Sequence, residues 1–361
     1  MRKLLMLALL GPVAAMAQVS GPMVSPPALM ATSDALSSIA MSAPSSAFAV
    51  GSFRPRREHY RGKSAVVGSS LATAALVSFS AGTPYQQTAT VQPLPAPLGV
   101  NFEALGVGAP GYSVSSAPPD TTLAVSPTQI VQWVNTQFAV YNKAGAPLLP
   151  APGFVNGNVL WQALPATSLC RQFNQGDPIV RYDAIAKRWI FSQFAFNDSF
   201  SENAQCFAVS TTDNALGSYV LYEYNFGDAL PDYGKMGVWH DAYFMSYNMF
   251  GGSATFFSDA RACAYDRAAM LNGLPATQIC FANPDNFSYL PADMDGTRVP
   301  PANCTLAYLP APPQPMYLCG ARLSYFSAIL PISDGLGLAF AVTRYDGRLV
   351  ISPTSCRELM P

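Results

Sequence analysis

Arg188-Trp-Ile-Phe-Ser-Gln-Phe194, Gln205-Cys-Phe-Ala-Val-Ser210 and Ser218-Tyr-Val-Leu-Tyr-Glu-Tyr224 are the stretches on which the fold is decided. Each is short and rich in aromatic and β-branched residues, a composition that suits a pleated, half-buried surface. Turn chemistry lies between them, at Asp183 to Lys187 and at Thr211 to Gly217. Pro178-Ile-Val-Arg-Tyr182 precedes the set. Gly237-Val-Trp-His-Asp-Ala-Tyr-Phe-Met245 follows it as one further strand, after a turn at Pro231 to Lys235. Strands at this spacing predict an all-β fold, either propeller blades or a sandwich. Working outward, comparable units open near Thr121, Pro178, Lys235 and Tyr289, roughly every 55 residues, a period that suits a looped blade. The expectation is a β-propeller of about three to four blades, incomplete as a ring.

The flanks differ from this middle. Arg2 and Lys3, the apolar run Leu4 to Leu10 and Ala15-Met-Ala17 form the three parts of a secretory signal over residues 1–17. The apolar run is too short to span a bilayer, so the reading is export to a secreted or periplasmic location with no membrane span. Residues 18–117 are dominated by small residues and proline without hydrophobic periodicity, and are expected to be a disordered linker. The cluster Arg54 to Lys63 within it reads as a solvated charged stretch or a contact for an anionic polymer. Charged residues are 11% of the 361 and the net charge is −1, which excludes an electrostatic footprint for nucleic acid.

Seven cysteines, none in a Cys-x-x-Cys pair, and two histidines argue against a zinc site. In an oxidising compartment disulfides are the better reading. Cys170 with Cys206, and Cys263 with Cys280, each fall within one blade or hairpin and are the expected pairs; the odd count leaves at least one thiol unpaired within the chain.

Asp120-Thr-Thr-Leu-Ala-Val125, Gln132-Trp-Val-Asn135, Gly176-Asp-Pro-Ile-Val-Arg-Tyr-Asp183, Arg188-Trp189, Pro231-Asp-Tyr-Gly-Lys-Met-Gly-Val-Trp239 and Leu290-Pro-Ala-Asp-Met-Asp-Gly296 occur in that order. Together, over about residues 118–301, they resemble a family of large secreted bacterial β-propeller proteins of unassigned function. The resemblance implies a propeller whose inner strands lie near those aspartates, and it implies no substrate. Two departures stand out. His240 occupies a place where the resemblance leads one to expect proline, and the likeness stops after Val299-Pro-Pro-Ala302. Blades are therefore expected over 118–302. Residues 303–361, with Pro310, Pro312, Pro313 and Pro315, are expected to be an atypical, truncated or frame-shifted tail foreign to the fold.

Candidate chemistry rests on carboxylates near the starts of successive units, where a propeller would gather them around its axis. Asp120, Asp177 and Asp241 could serve as acid and base in glycan hydrolysis, and Asp293 with Asp295 could hold Ca²⁺. Aspartates before strands also cap turns, which is their commonest use. A serine hydrolase would need a histidine base, and only His59 and His240 exist, His240 being read as a packing residue on a strand. The residues therefore point to a secreted propeller with a binding or scaffold role toward an extracellular glycan or protein, more than to an enzyme. A glycan-acting hydrolase using the aspartates is the alternative.

Overall fold

The computed structural model describes residues 22–42, 99–113, 118–284, 288–291 and 293, together with the backbone of five short strands between 304 and 355. The chain opens with β1 (Met23–Ser25), β2 (Leu29–Thr32) and the short helix α1 (Leu36–Ser42). A first antiparallel meander follows, made of β3 (Thr122–Val125), β4 (Gln129–Val134), β5 (Gln137–Asn142) and β6 (Phe154–Asn156). A 3₁₀ turn at Gly157–Trp161 and helix α2 (Leu169–Gln172) lead into the second. This consists of β7 (Ile179–Asp183), β8 (Arg188–Phe196), β9 (Asn203–Ser210) and β10 (Tyr219–Gly227). The third holds β11 (Leu230–Val238), β12 (Ala242–Phe250), helix α3 (Gly251–Ala254), β13 (Phe256–Asp266), helix α4 (Arg267–Leu271) and β14 (Gln278–Asn283). The last strands are β15 (Cys304–Tyr308), β16 (Tyr317–Cys319), β17 (Tyr325–Leu330), β18 (Leu338–Thr343) and β19 (Thr354–Ser355). They form a sheet in the order β16-β15-β17-β18-β19, in which β15 and β17 run parallel. The fold is all-β with little helix.

The second meander shows why these residues make these strands. Successive side chains of a strand point to opposite faces. On β8, Trp189, Phe191 and Ala195 enter the core shared with the first meander, and Ile190 enters the core shared with the third. On β9 and β10 the same alternation sends Cys206, Ala208, Tyr219 and Leu221 one way, and Phe207, Val209, Val220, Tyr222 and Tyr224 the other. Both faces are covered, so β9 is buried along its whole length. Phe191 sits among Trp133, Phe138 and Tyr219, with ring centroids 5.7, 5.2 and 5.4 Å away. Burying one such side chain contributes about 1.5–3 kcal/mol.

Three sequence expectations change here. Residues 23–42, inside the stretch read as disordered linker, are ordered: β1 pairs with β14, and β2 with β10. Composition missed this because the sheet edges, not a hydrophobic pattern, supply the partners. Residues 231–245 are two strands rather than a turn and one strand. Trp239 N donates to Ala242 O (3.1 Å) and closes a two-residue turn at His240-Asp241, so His240 lies at a hairpin tip and not within a strand. Pro231 is tolerated because it stands at the start of β11. Finally, the stretch read as a tail poor in strands holds β15 to β19. His59, the Arg54 to Lys63 cluster and the signal over 1–17 lie outside the described residues.

Candidate functional site

The first strands of the three meanders lean on one another. Val180 N donates to Thr122 Oγ1 (3.4 Å), and Arg181 Nη2 to Met236 O (3.4 Å). A residue with left-handed backbone stands two places before β3 and β7, at Asp120 (φ 42°) and Asp177 (φ 45°), and within the early part of β11, at Tyr233 (φ 53°). That conformation is uncommon outside glycine, and Asp tolerates it better than most residues. Gly176 must stay small, because at φ 90° its Cβ would also stand 3.2 Å from Asn135 O. Asn135 in turn donates through its backbone N to Pro119 O (3.0 Å) and through Nδ2 to Pro118 O (3.1 Å), fixing the approach to Asp120. At Tyr233 the β11–β12 register slips between Asp232 and Lys235, and this bulge accommodates the left-handed residue.

Lys235 is the centre of this region. Its Nζ lies 3.6 Å from the centroid of the Tyr233 ring and donates to Gly234 O (3.2 Å). Burial pushes its pKa down, while the carboxylates of Asp177, Asp232 and Asp120 pull the other way and Arg181 adds to the lowering. Asp120 and Asp177 therefore share with Asp232 an electrostatic influence on Lys235. Asp241 is not among them. It lies past the far end of β11, in the turn that follows Val238. Asp293 reaches the cluster from outside the meanders: its Oδ1 accepts from Val238 N (2.7 Å), and its Oδ2 lies 3.3 Å from Arg181 Nε in an ion pair. Asp295 lies outside the described residues. Among the described residues no group of three or more His, Cys, Asp or Glu is placed to hold a metal ion. Sequence reasoning missed Lys235 and Asp232 because Pro231-Asp-Tyr-Gly-Lys235 read as a turn; its Asp-Tyr-Gly was the signal for a bulge.

The hairpin tip carries a second group. His240 Nδ1 and Asp241 Oδ1 are shielded from solvent and have no hydrogen-bond partner among the described residues. Burial pushes the Asp241 carboxyl pKa up, opposed chiefly by the neighbouring His240. Beneath them, Arg267 Nη1 donates to His240 O (3.1 Å) and its Nε pairs with Asp183 Oδ2 at 2.7 Å. Tyr243 OH also donates to Asp183 Oδ2 (3.0 Å), while Asp183 Oδ1 accepts from Ile185 N and Ala186 N. This buried arrangement ties the β7–β8 turn to the β11–β12 turn.

Cys170 and Cys206 form a disulfide, as do Cys263 and Cys280. The first holds α2 against β9, beside the buried Glu223, which accepts from Ser168 Oγ (2.5 Å) and Cys170 N (3.0 Å). The second joins directly opposed residues of β13 and β14.

Residues 276–361 match the family model described as the WS/DGAT C-terminal domain. No curated protein and no solved structure matches the chain. The match corrects the resemblance to a secreted β-propeller family, and with it the reading of the chain as a secreted propeller scaffold or a glycan-acting hydrolase. Some of the motifs behind that resemblance hold left-handed residues of the turns and of the β11 bulge, at Asp120, Asn135, Gly176, Asp177 and Tyr233. The matched segment instead takes in β14, Asp293 and the whole of the stretch read as a foreign tail.

Proposed function

We propose that this chain acts in acyl transfer to a hydroxyl acceptor, with residues 276–361 as its acyltransferase segment. The observation that carries this reading is the match of that segment to the WS/DGAT C-terminal domain, a name that denotes wax ester synthase and diacylglycerol acyltransferase. In such a transfer the acceptor oxygen adds to the carbonyl carbon of an activated acyl group such as a thioester. The C–S bond breaks, and the hydroxyl proton passes through a base to the departing thiolate. Among the described residues the imidazole is that of His240, and to it we assign the base. Two features support the assignment. Its Nδ1 is uncommitted, and the matched segment is anchored through Asp293 to Val238, the last residue of β11, two residues before His240.

The test is ester formation by the purified full chain from a long-chain acyl thioester with a long-chain alcohol or a diacylglycerol. Ester should form, and His240→Gln should slow it at least about a hundredfold, the scale of a lost general base. Absence of ester with either acceptor from a folded chain contradicts the proposal. Undiminished activity in the variant removes His240 alone.

The same proposal reads the three meanders as successive blades of an open, propeller-like arc. The adjacency of β3, β7 and β11 and the repeated left-handed residue before each strand's straight run support it. Folding in an oxidising, exported compartment is likewise proposed, supported by the sequence of residues 1–17 and by the two disulfides.

A further inference from the structure

The segment 23–42 touches the body in a way that its place in the chain does not require. β1 extends the third meander beyond β14, with Met23 opposite Cys280 and Ser25 opposite Gln278, whose Nε2 donates to Ser25 Oγ (2.9 Å). A few residues later β2 extends the second meander beyond β10, with Leu29 opposite Glu223 and Thr32 opposite Val220. The ladder continues past the strand. Ala28 N donates to Glu223 O (2.8 Å), Ser33 N to Tyr219 O (2.9 Å), and Tyr219 N to Ser33 Oγ (3.0 Å). Leu36 N and Ser37 N then bond to Gly217 O and Leu216 O. The side chains alternate between cores: Leu29 and Ala31 pack on the core shared by the first two meanders, and Met30 on that shared by the second and third. Helix α1 finishes the contact by burying Leu36 and Ala40 completely or nearly so.

One short stretch therefore serves as the outermost strand of two sheets and as a plug in one core. Residues 43–98 stand between it and the next described part of the chain. Backbone ladders on a sheet edge recognise any extended peptide of compatible pattern, and pockets for alternate side chains confer selectivity. Without this segment, β10 and β14 would present unpaired edges.

We propose that the edges of β10 and β14, with the pocket for Leu36 and Ala40, form a peptide-acceptor site. It is occupied in cis by residues 23–42, and the same segment of a second copy of this chain can occupy it in trans. Recognition rests on an extended stretch with apolar residues at 29, 30 and 31, a Ser at 33 that caps the β10 edge, and a helical turn bearing Leu36 and Ala40.

The experiment uses the full chain with a protease site introduced between residues 43 and 98. After cleavage, the fragment bearing 23–42 should co-elute with the body under native conditions. Excess labelled peptide 22–42, standing for the segment of a second copy, should replace it. The same peptide with Leu36→Asp should replace it at least tenfold less well. If the fragment separates and the body keeps its near-ultraviolet dichroism without binding the peptide, the proposal is overturned. If the body unfolds on losing the fragment, recovery on adding peptide supports the proposal and failure to recover overturns it. Equal replacement by the Leu36→Asp peptide also overturns it. In a final arm, two full-length populations, one labelled in the segment and one in the body, should show energy transfer after mixing; its absence under conditions where the peptide exchanges removes the second copy as an occupant.

Discussion

The stretch from Thr122 to Asn283 and the stretch from Cys304 to Ser355 are both made of short strands, but they are joined differently. In the first, every meander strand pairs antiparallel with its sequence neighbour, so each sheet is a set of hairpins. In the second, β15 pairs antiparallel with β16 on one side and parallel with β17 on the other. A parallel pair needs a crossover connection rather than a tight turn, so its partners cannot be found from local pattern. The comparison separates stability from family resemblance. The antiparallel body holds the buried aromatic cores, and the family match covers the mixed sheet and only the last body strand, β14. The packing of the body and the proposed acyl transfer can then be perturbed apart.

The largest effect on the body should come from Phe191→Ala, which empties the junction of the first two meanders among Trp133, Phe138 and Tyr219. A loss of about 3–5 kcal/mol is expected in denaturant unfolding. Ester formed per folded molecule should be unchanged, and a matching fall in specific activity would show that the two regions do not separate. Next comes Arg267→Met, which leaves the fully buried Asp183 without its cation at a cost of about 3 kcal/mol. Because Arg267 also binds His240 O, this variant sharpens the comparison: activity should fall along with stability. Pairing it with Asp183→Asn should recover part of the stability, as a double-mutant cycle would measure. If the two changes simply add, the pair is not coupled as described.

The smallest effect is pH-dependent. Burial holds the Asp241 carboxyl pKa above its unfolded value. Its contribution to stability is therefore complete below the unfolded pKa and is lost as pH rises through the folded one. Asp241→Asn removes this loss, so the variant should melt slightly higher than the parent at neutral pH, with the difference shrinking toward about pH 4. A melting difference that does not change with pH would show that the carboxyl is not perturbed in the fold.

The body was legible because a period of two survives wherever a strand serves two cores: Trp189, Ile190 and Phe191 spell out their destinations in order. The two cysteine pairs were legible as neighbours within one unit. What was hidden depended on partners distant in sequence. Nothing in Leu29-Met-Ala-Thr32 announces that it lies along β10, since the recognition is through backbone groups. The carboxylate cluster was half visible. Asp120 and Asp177 precede their strands by the same interval, but the third position fell to Asp232 and Tyr233, because β11 begins before the bulge and not after it. Asp241 was placed with them by counting strands one too few. The strands of the last residues were obscured by their prolines and by the non-local pairing of β15 with β17.

The central claim is that acyl-transfer chemistry depends on the C-terminal segment while the antiparallel body folds through its own cores. It is tested most directly by removing residues 303–361 from the full chain. Ester formation from an acyl thioester and a long-chain alcohol would be measured beside the far-ultraviolet β signal and the near-ultraviolet signal of the buried tryptophans. The account predicts that ester formation disappears while the tryptophan signal persists. Ester formation that survives the deletion, or a body that collapses with it, would contradict the account.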